Sequence, residues 1–449
     1  MPNILPFAAL RYDERQIGCL SDVIAPPYDV IDPKLQDQLY DRHAANAVRI
    51  VLNRRELGDQ PDQHYQRAAA WFSQWMADGV LRQDSEPAFY VYNQQFEYAK
   101  QKFCRRGFIG TVRLERFGTG NVFPHEETHS VAKADRLKLI KACGINCSQV
   151  FGLYPDADND AQFMLEAVTG DQAPIAATDH LGVEHKMWVV RDKDAIDQVA
   201  SVLADKPLFI ADGHHRYETA CDYRDYLSQQ NGPLPKNHPA NFVMTNMVSM
   251  SDPGLIILPT HRLFEGTPIL TGNELADRLG DHFRCEKIGT DAGAAIACWD
   301  LMELADRQNL MAVFAAGDGQ WLLCEATAKA ADAMRMIAPQ LSEDWRSLGV
   351  SMLHKLVMET ILQATPHPEP TYVHTVTELR DRLASPAREM SAEPAYTMAA
   401  LVMPARISDV EAISLNQERM PAKSTYFYPK LASGLTFNRL YKCESTAAK

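Results

Sequence analysis

An apolar run that ends abruptly in charged residues sets the frame for this chain. Pro207-Leu-Phe-Ile-Ala-Asp212-Gly213-His214-His215-Arg216-Tyr217-Glu218 reads as a buried strand, a glycine turn and the start of a helix. Leu208 to Ala211 supply the strand. From Arg216 to about Gln229 the period turns helical and groups Tyr217, Ala220 and Cys221. Upstream, Lys186-Met-Trp-Val-Val190 is a second strand candidate, and residues 194–204 form a helix with Ile196, Val199, Val202 and Leu203 on one side. Strand, helix, strand, loop and helix in that order predict an α/β arrangement.

At 449 residues the chain is long for one core, so two domains or one core with large insertions are expected. Hydrophobic residues at 46% and charged residues at 23% match ordinary globular usage and leave no room for a disordered or fibrous class. The net charge of -13 argues against nucleic acid as the main partner, because phosphate contacts need a basic surface. A local basic pocket for a small anion is compatible with it. The nine cysteines are scattered, and Cys143-x3-Cys147 has no second pair to complete a zinc site. They read as reduced thiols of a cytoplasmic protein. The opening residues lack a basic region followed by an apolar run, so no signal peptide is expected, and no apolar stretch reaches membrane-spanning length.

Along the chain, Ile24-Ala-Pro-Pro-Tyr28-Asp29-Val-Ile is held extended by its prolines, and Asp32-Pro33 opens a helix to about His43. Val48-Arg49-Ile50-Val51-Leu52 reads as a strand, residues 61–78 as a helix, 88–116 as a β-hairpin, Val150 to Tyr154 as a strand and 242–247 as a strand. Beyond Gly266 helical periods dominate, at 271–283, 292–307, 345–364 and 376–383, with one hairpin at 312–324. The expected division is therefore a site-bearing domain over residues 1–265 and a helix-rich domain over 266–449. The polar stretch 420–430 of that second domain is expected to return to the site.

The chemistry concentrates at Asp212 to Arg216. Glycine between strand and helix lets backbone amides approach a ligand, and the helix start favours an anion. Arg216 adds a guanidinium fork suited to phosphate, and His214 and His215 add hydrogen-bonding groups. Asp212 would repel phosphate and fits better as a Mg2+ ligand or as partner to a hydroxyl nucleophile. The plainer reading of the same residues is a satisfied turn, with Asp212 capping the helix and Arg216 paired to an acid.

Ala211-Asp-Gly-His-His-Arg-Tyr-Glu-Thr-Ala220 resembles the signature of a bacterial and archaeal family known as domain of unknown function ten-fifteen. Ala25-Pro-Pro-Tyr-Asp-Val30, Pro124-His-Glu126 with Ala134-Asp-Arg136, Leu258-Pro-Thr-His-Arg262, and Met420-Pro-Ala-Lys-Ser-Thr-Tyr-Phe-Tyr-Pro-Lys430 resemble further family blocks. The Asp-Gly-His-His-Arg core is distantly similar to the phosphate motif of the ParB/sulfiredoxin superfamily, and most similar to its free-serine kinase. Sulfiredoxin has a cysteine where this chain has histidine, and the partition proteins add basic DNA-binding helices. The resemblance implies an α/β ParB/sulfiredoxin-like core with large insertions. It also implies a kinase that uses ATP or ADP with Mg2+ on a small hydroxyl substrate such as the amino acid serine. Gly213, His214, His215, Arg216, Arg136 and Lys423 would then hold the nucleotide. Asp212, Glu126 and His215 are the candidate catalytic residues, with Asp29 a further carboxylate and Asp212 the candidate metal ligand. A nucleotide-binding regulatory protein with little catalysis is the alternative.

His125-Glu126-Glu127-Thr128-His129 also fits the H-E-x-x-H pattern of zinc hydrolases. Pro124 and the Gly-Thr-Gly-Asn loop before it, and the lack of a recognisable third ligand, count against it. Lys133, Arg136, Lys138 and Lys141 form a basic helix face that would either close over a ligand or lie in solvent. Lys423 and Lys430 could reach an anion. Thr260-His261-Arg262 would line the same cleft or form a local salt bridge.

Overall fold

A computed structural model describes residues 3–128, 130–291, 293–366, 368–384 and 396–441. The chain divides into two units. The first comprises residues 1–124, 128–256 and 429–449, the second residues 125–127 and 257–428. Sequence reasoning set one division near Gly266. In the structure the first unit's main body closes at Ile256, and it takes back the residues from Pro429 onward.

The first unit is built on a mixed sheet of nine described strands. Their order is Val122–Pro124, Leu208–Asp212, Val150–Tyr154, Phe242–Ser249, Gln101–Arg113, Phe89–Tyr98, Glu184–Val190 and Ile175–Thr178, with Ile4–Leu5 beside Gln101–Arg113. Leu208–Asp212 runs parallel to Val122–Pro124 and antiparallel to Val150–Tyr154. The α/β expectation thus holds as a large mixed sheet with helices. The expected hairpin is Phe89–Tyr98 with Gln101–Arg113, in antiparallel register from Tyr90↔Ile109 to Tyr98↔Gln101. Its two turn residues, Ala99 and Lys100, both have positive φ, the turn geometry that suits the twist of paired strands.

Apolar residues at helical spacing explain the packing against this sheet. Ile196, Val199 and Leu203 of helix Lys193–Leu203, and Tyr217, Ala220 and Cys221 of helix His214–Asn231, share one core with Phe89, Phe108, Val112 and Ile210. Each such aliphatic or aromatic side chain contributes roughly 1.5–3 kcal/mol on burial.

One expected strand is a helix. Val48–Val51 forms a single α-turn, although its β-branched residues favour extended backbone. The side chain of Asn46, fully buried, decides it. Its Oδ1 accepts from Val48 N at 2.9 Å, and its Nδ2 donates to the carbonyls of Asp22 and Ile24 at 2.8 and 3.1 Å. Tertiary hydrogen bonds override propensity here.

The second unit is not merely helix-rich. It holds a six-stranded sheet in the order Phe283–Gly289, Gln320–Ala326, Leu310–Ala315, Met398–Val402, His261–Phe264 and Thr371–Val373, antiparallel throughout. Every residue of Met398–Val402 is buried, so the alternation that reveals a strand is missing there. The helix expected over 345–364 is interrupted. Glu343–Ser347 ends at Leu348 in extended backbone, and the chain resumes as Gly349–Ser351 and the π-helix Met352–Ile361. No helix among the described residues is long and apolar enough to cross a membrane.

Candidate functional site

The strand Leu208–Asp212 carries a β-bulge at its end. Ile210 pairs with Gly152 and Asp212 with Phe151, so Ala211 is an extra residue in the ladder. Bulges re-aim the side chain that follows them. Gly213 then takes a left-handed conformation (φ 89°) as N-cap of helix His214–Asn231. A Cβ at Gly213 would lie 2.9 Å from the Arg216 guanidinium, so glycine is required both for the backbone and for that close approach. Asp212 does not cap the helix. Its Oδ2 accepts from Arg216 at 2.5 Å and its Oδ1 from the ammonium of Lys430 at 2.5 Å. Arg216 also donates to the carbonyl of Gln149. Burial opposes ionisation of Asp212, but Lys430 and Arg216 outweigh it and hold the carboxyl well below its usual range. The trio bears one net positive charge. His214 is buried and His215 half-buried in the first helical turn, where the His215 carbonyl accepts from Thr219 Oγ1 at 2.5 Å.

Lys430 arrives on a segment threaded through the first unit. Arg105, fully buried, donates to the Pro429 carbonyl at 2.5 Å, and Gln94 donates to the Lys430 carbonyl at 3.0 Å. Gln149 Nε2 donates to the Ala432 carbonyl at 3.0 Å, and Ala432 N donates to Tyr92 Oη at 3.3 Å. Ser433 exchanges backbone bonds with Ala25 at 2.7 and 3.0 Å. Burial lowers the Arg105 guanidinium to about 10, which marks how far this support lies from water.

Arg136 of helix Ser130–Cys143 forms a second cationic element. It is buried, donates to the Val51 carbonyl at 2.7 Å and to Asp135 at 2.5 and 2.8 Å, and sits 4.1 Å over the Tyr28 ring. Tyr65 donates a further hydrogen bond to Asp135. Burial resists ionisation of Asp135, yet the Arg136 charge and these hydrogen bonds keep its carboxyl below the usual range. The Tyr28 phenol is pushed up to about 12, first by burial and then by Asp29, with Arg136 and Arg216 opposing. Asp29 itself is exposed.

Two voids meet at Arg136. One, of about 330 Å³, is lined by Arg54, Arg55, His64, Tyr65, Asp135 and Arg136 together with apolar residues that include Ile31, Leu52 and Leu139. The other, of about 40 Å³, runs from Arg136 and Leu139 past Cys147 and Ser148 to Arg216 and Thr219. Arg54, Arg55 and His64 are residues that sequence reasoning did not single out. The adjacent arginines just after a buried segment were the available signal. The rest of the basic face is paired locally: Lys133 with Glu218 at 3.4 Å, Lys138 with Asp62 at 2.8 Å, and Lys141 over the Tyr226 ring at 3.8 Å.

The second unit gathers the remaining candidates. Glu126 Oε1 accepts from the backbone N and the hydroxyl of Thr425 at 3.0 and 2.9 Å. Fully buried His125 places Nε2 2.8 Å from the same hydroxyl. The Thr425 hydrogen is committed to Glu126, so Nε2 of His125 is the donor. His129, the second histidine of the H-E-x-x-H pattern, lies outside the described residues. Among the described residues, no group of three or more His, Cys, Asp or Glu side chains is arranged to hold a metal ion. Lys423 is exposed in left-handed backbone (φ 57°), and its carbonyl accepts from Arg262 at 3.0 Å. Thr260-His261-Arg262 makes no salt bridge among the described residues. Arg262 is fully buried and donates to His354 Nε2 at 3.0 Å and to the Thr260 carbonyl.

Asp212, Gly213, His214, His215, Arg216, Arg136 and Lys430 thus belong to the first unit, and Glu126 and Lys423 to the second. Each carboxylate oxygen of Asp212, the expected metal ligand, receives one cation in this arrangement, Arg216 on Oδ2 and Lys430 on Oδ1.

The model of the family described as "Protein of unknown function (DUF1015)" matches residues 4–351. No curated protein matches the chain. Among solved structures, a free serine kinase in complex with AMP is similar at 12% identity and a TM-score of 0.32, over 72% of this chain and 88% of that one. A mutant free serine kinase in complex with ADP gives 12% and 0.32, over 72% and 89%. A conserved hypothetical protein from Pyrococcus furiosus gives 12% and 0.32, over 68% and 87%.

Proposed function

The chain belongs to that family of proteins of unknown function, and we propose that it is a nucleotide-dependent phosphotransferase acting on a small hydroxyl substrate, with free L-serine the first to test. The observation that carries this reading is the void of about 330 Å³ whose lining combines Arg54, Arg55 and Arg136 with apolar Ile31, Val51, Leu52 and Leu139. Its volume falls at the small end of ligand pockets. Apolar lining residues suit a base, and guanidinium forks suit phosphate oxygens. Arg136 is shared with the cavity that reaches Arg216. In this reading the nucleotide lies with its phosphates directed along that line, toward the start of helix His214–Asn231, whose dipole favours negative charge. A ParB/sulfiredoxin-like core around the Asp212 turn is part of the same proposal.

Transfer consists of attack by the substrate hydroxyl oxygen on the terminal phosphorus of ATP or ADP. The bridging P–O bond breaks, and ADP or AMP leaves. The hydroxyl proton passes to a carboxylate. Phosphoryl transfer needs positioning and charge neutralisation more than covalent chemistry. Asp212, held ionised by Arg216 and Lys430, is a weak base while both cations stay on it. A phosphoryl group that draws one cation away raises its basicity, which couples phosphate binding to proton acceptance. Mg2+ carried on the nucleotide would shield phosphate charge. The expected setting is the cytoplasm, where nucleotides and free amino acids are available.

The test is to incubate the full chain with ATP or ADP, Mg2+ and L-serine and to assay for O-phosphoserine by mass spectrometry, alongside a thermal-shift screen across nucleotides. Phosphoserine together with a nucleotide-dependent rise in Tm supports the reading, because a ligand of the folded state stabilises it. A rise in Tm without product from serine or pooled amino acids identifies a regulatory nucleotide-binding protein instead. No response to any nucleotide overturns the proposal, as does an Arg216→Ala variant that keeps its full nucleotide response.

A further inference from the structure

The second unit carries a pair of cysteines for which the proposed chemistry has no use. Cys285 lies on the strand Phe283–Gly289 and Cys324 on Gln320–Ala326, and the two residues are register partners. Their sulfurs are 3.4 Å apart. Directly opposed residues of antiparallel strands have Cα atoms about 4.5 or 5.5 Å apart, within the range of about 4.4–6.8 Å that a disulfide spans. Rotation of the two side chains about their Cα–Cβ bonds is then enough to bring the sulfurs together. Cys285 is partly exposed and Cys324 fully buried, so one thiol is open to a small oxidant and the other is shielded behind it.

We infer that Cys285 and Cys324 form a redox-modification site, closing an intramolecular disulfide on exposure to hydrogen peroxide. The Cys285 sulfur attacks the peroxide oxygen, the O–O bond breaks, and Cys285 becomes a sulfenic acid with release of water. The Cys324 sulfur then attacks the sulfenic sulfur, the S–S bond forms, and the hydroxyl leaves as a second water with the Cys324 proton. Two thiols are oxidised and one peroxide is reduced to two waters. The hydrogen bond from Cys324 holds the Cys285 thiol below its usual range against the effect of burial, and the same bond and burial raise Cys324. This division suits Cys285 as the first nucleophile, since the thiolate is the reactive form. Phe283–Gly289 stands at the end of the strand order and pairs only with Gln320–Ala326 among the described strands. The disulfide would therefore staple an edge strand to its sheet.

The test treats the full-length chain with hydrogen peroxide, blocks remaining thiols with N-ethylmaleimide, and maps peptides without reduction. The expected result is a cross-linked pair containing Cys285 and Cys324, lighter by two hydrogens and separated by dithiothreitol. Exposed Cys19 serves as the internal measure of oxidant exposure. Oxidation of Cys19 while Cys285 and Cys324 are recovered as unlinked peptides overturns the inference. So does a link from either cysteine to buried Cys298. Cys285→Ser changes a partly exposed position and avoids a core substitution at Cys324. It should abolish the link and leave Cys324 unoxidised at the same peroxide dose, and a variant that still oxidises Cys324 would equally refute the order of attack.

Discussion

Lys430 places its ammonium 2.5 Å from Oδ1 of Asp212, a partner 218 residues earlier in the chain. Both side chains are largely buried, at 13% and 15% exposure, so the pair is only partly screened by water. Removing the ammonium in Lys430→Ala should cost roughly 2 kcal/mol, typical of losing a hydrogen bond to a charged group, read as a lower urea midpoint.

The same pair sets an acid limit. The carboxyl of Asp212 is depressed in the folded state, while the unfolded chain takes its proton near the ordinary value of 3.8. The unfolded state therefore binds the proton first, and the stabilisation is intact above about pH 4 and lost as pH falls further. The difference in urea midpoint between the wild type and Lys430→Ala, which isolates this contribution, should hold from pH 7 to about pH 4 and shrink below it.

Gly213→Ala meets two obstacles, a left-handed backbone and a guanidinium 2.9 Å from the new Cβ. The conformational part alone costs about 1–2 kcal/mol. Denaturation should show that loss, and the nucleotide-dependent rise in Tm should shrink because Arg216 is displaced.

Arg136→Lys keeps the charge and loses the fork. Arg136 uses separate nitrogens for Val51 and Asp135 while lying over Tyr28, a geometry that one ammonium does not reproduce. Nucleotide affinity should fall by about tenfold or more, equivalent to about 1.4 kcal/mol. Calorimetric titration with ADP and ATP measures this directly, and an unchanged Kd would remove Arg136 from the binding role.

His261 is fully buried, and burial, then Arg262 and His374, lower its imidazole to about 3. The unfolded histidine titrates near 6.5. Between these values the unfolded state holds more protons, so stability falls as pH drops from about 6.5 towards 3, by at most about 1.4 kcal/mol per pH unit. His261→Asn, which retains an acceptor near Val402 N, should flatten that slope in urea titrations at pH 7, 6 and 5.

Much of the first unit was legible because its elements announce themselves locally. The run Leu208 to Ala211 before Asp212, and the aromatic and β-branched pattern around Phe89 and Phe108, read as strands and form them. Val48 and Ile50 misled because the deciding hydrogen bonds come from Asn46 to Asp22 and Ile24, more than twenty residues away. Met398–Val402 escaped notice because a strand covered on both faces has no alternation to read. At the candidate site, Gly213 and Arg216 were visible in the motif itself. The pairing of Asp212 with Lys430 was not, because no local pattern encodes a partner on a distant segment. Glu126 was legible as a candidate base, whereas its hydrogen bonds with Thr425 join residues nearly 300 apart in sequence.

Residues 429–441 lie within the first unit, yet they follow the roughly 170 residues of the second in sequence. At ordinary translation rates those intervening residues take on the order of 10–35 s to synthesise. Throughout that interval Arg105, Gln94 and Gln149 lack the carbonyls of Pro429, Lys430 and Ala432 to which they donate in the finished fold. The first unit is thus a non-local fold, whose set of internal hydrogen bonds is complete only once its last segment is made. Asp212 acquires its second counter-ion only then, so newly made chains pass through a stage in which the motif is present and its charge balance is not.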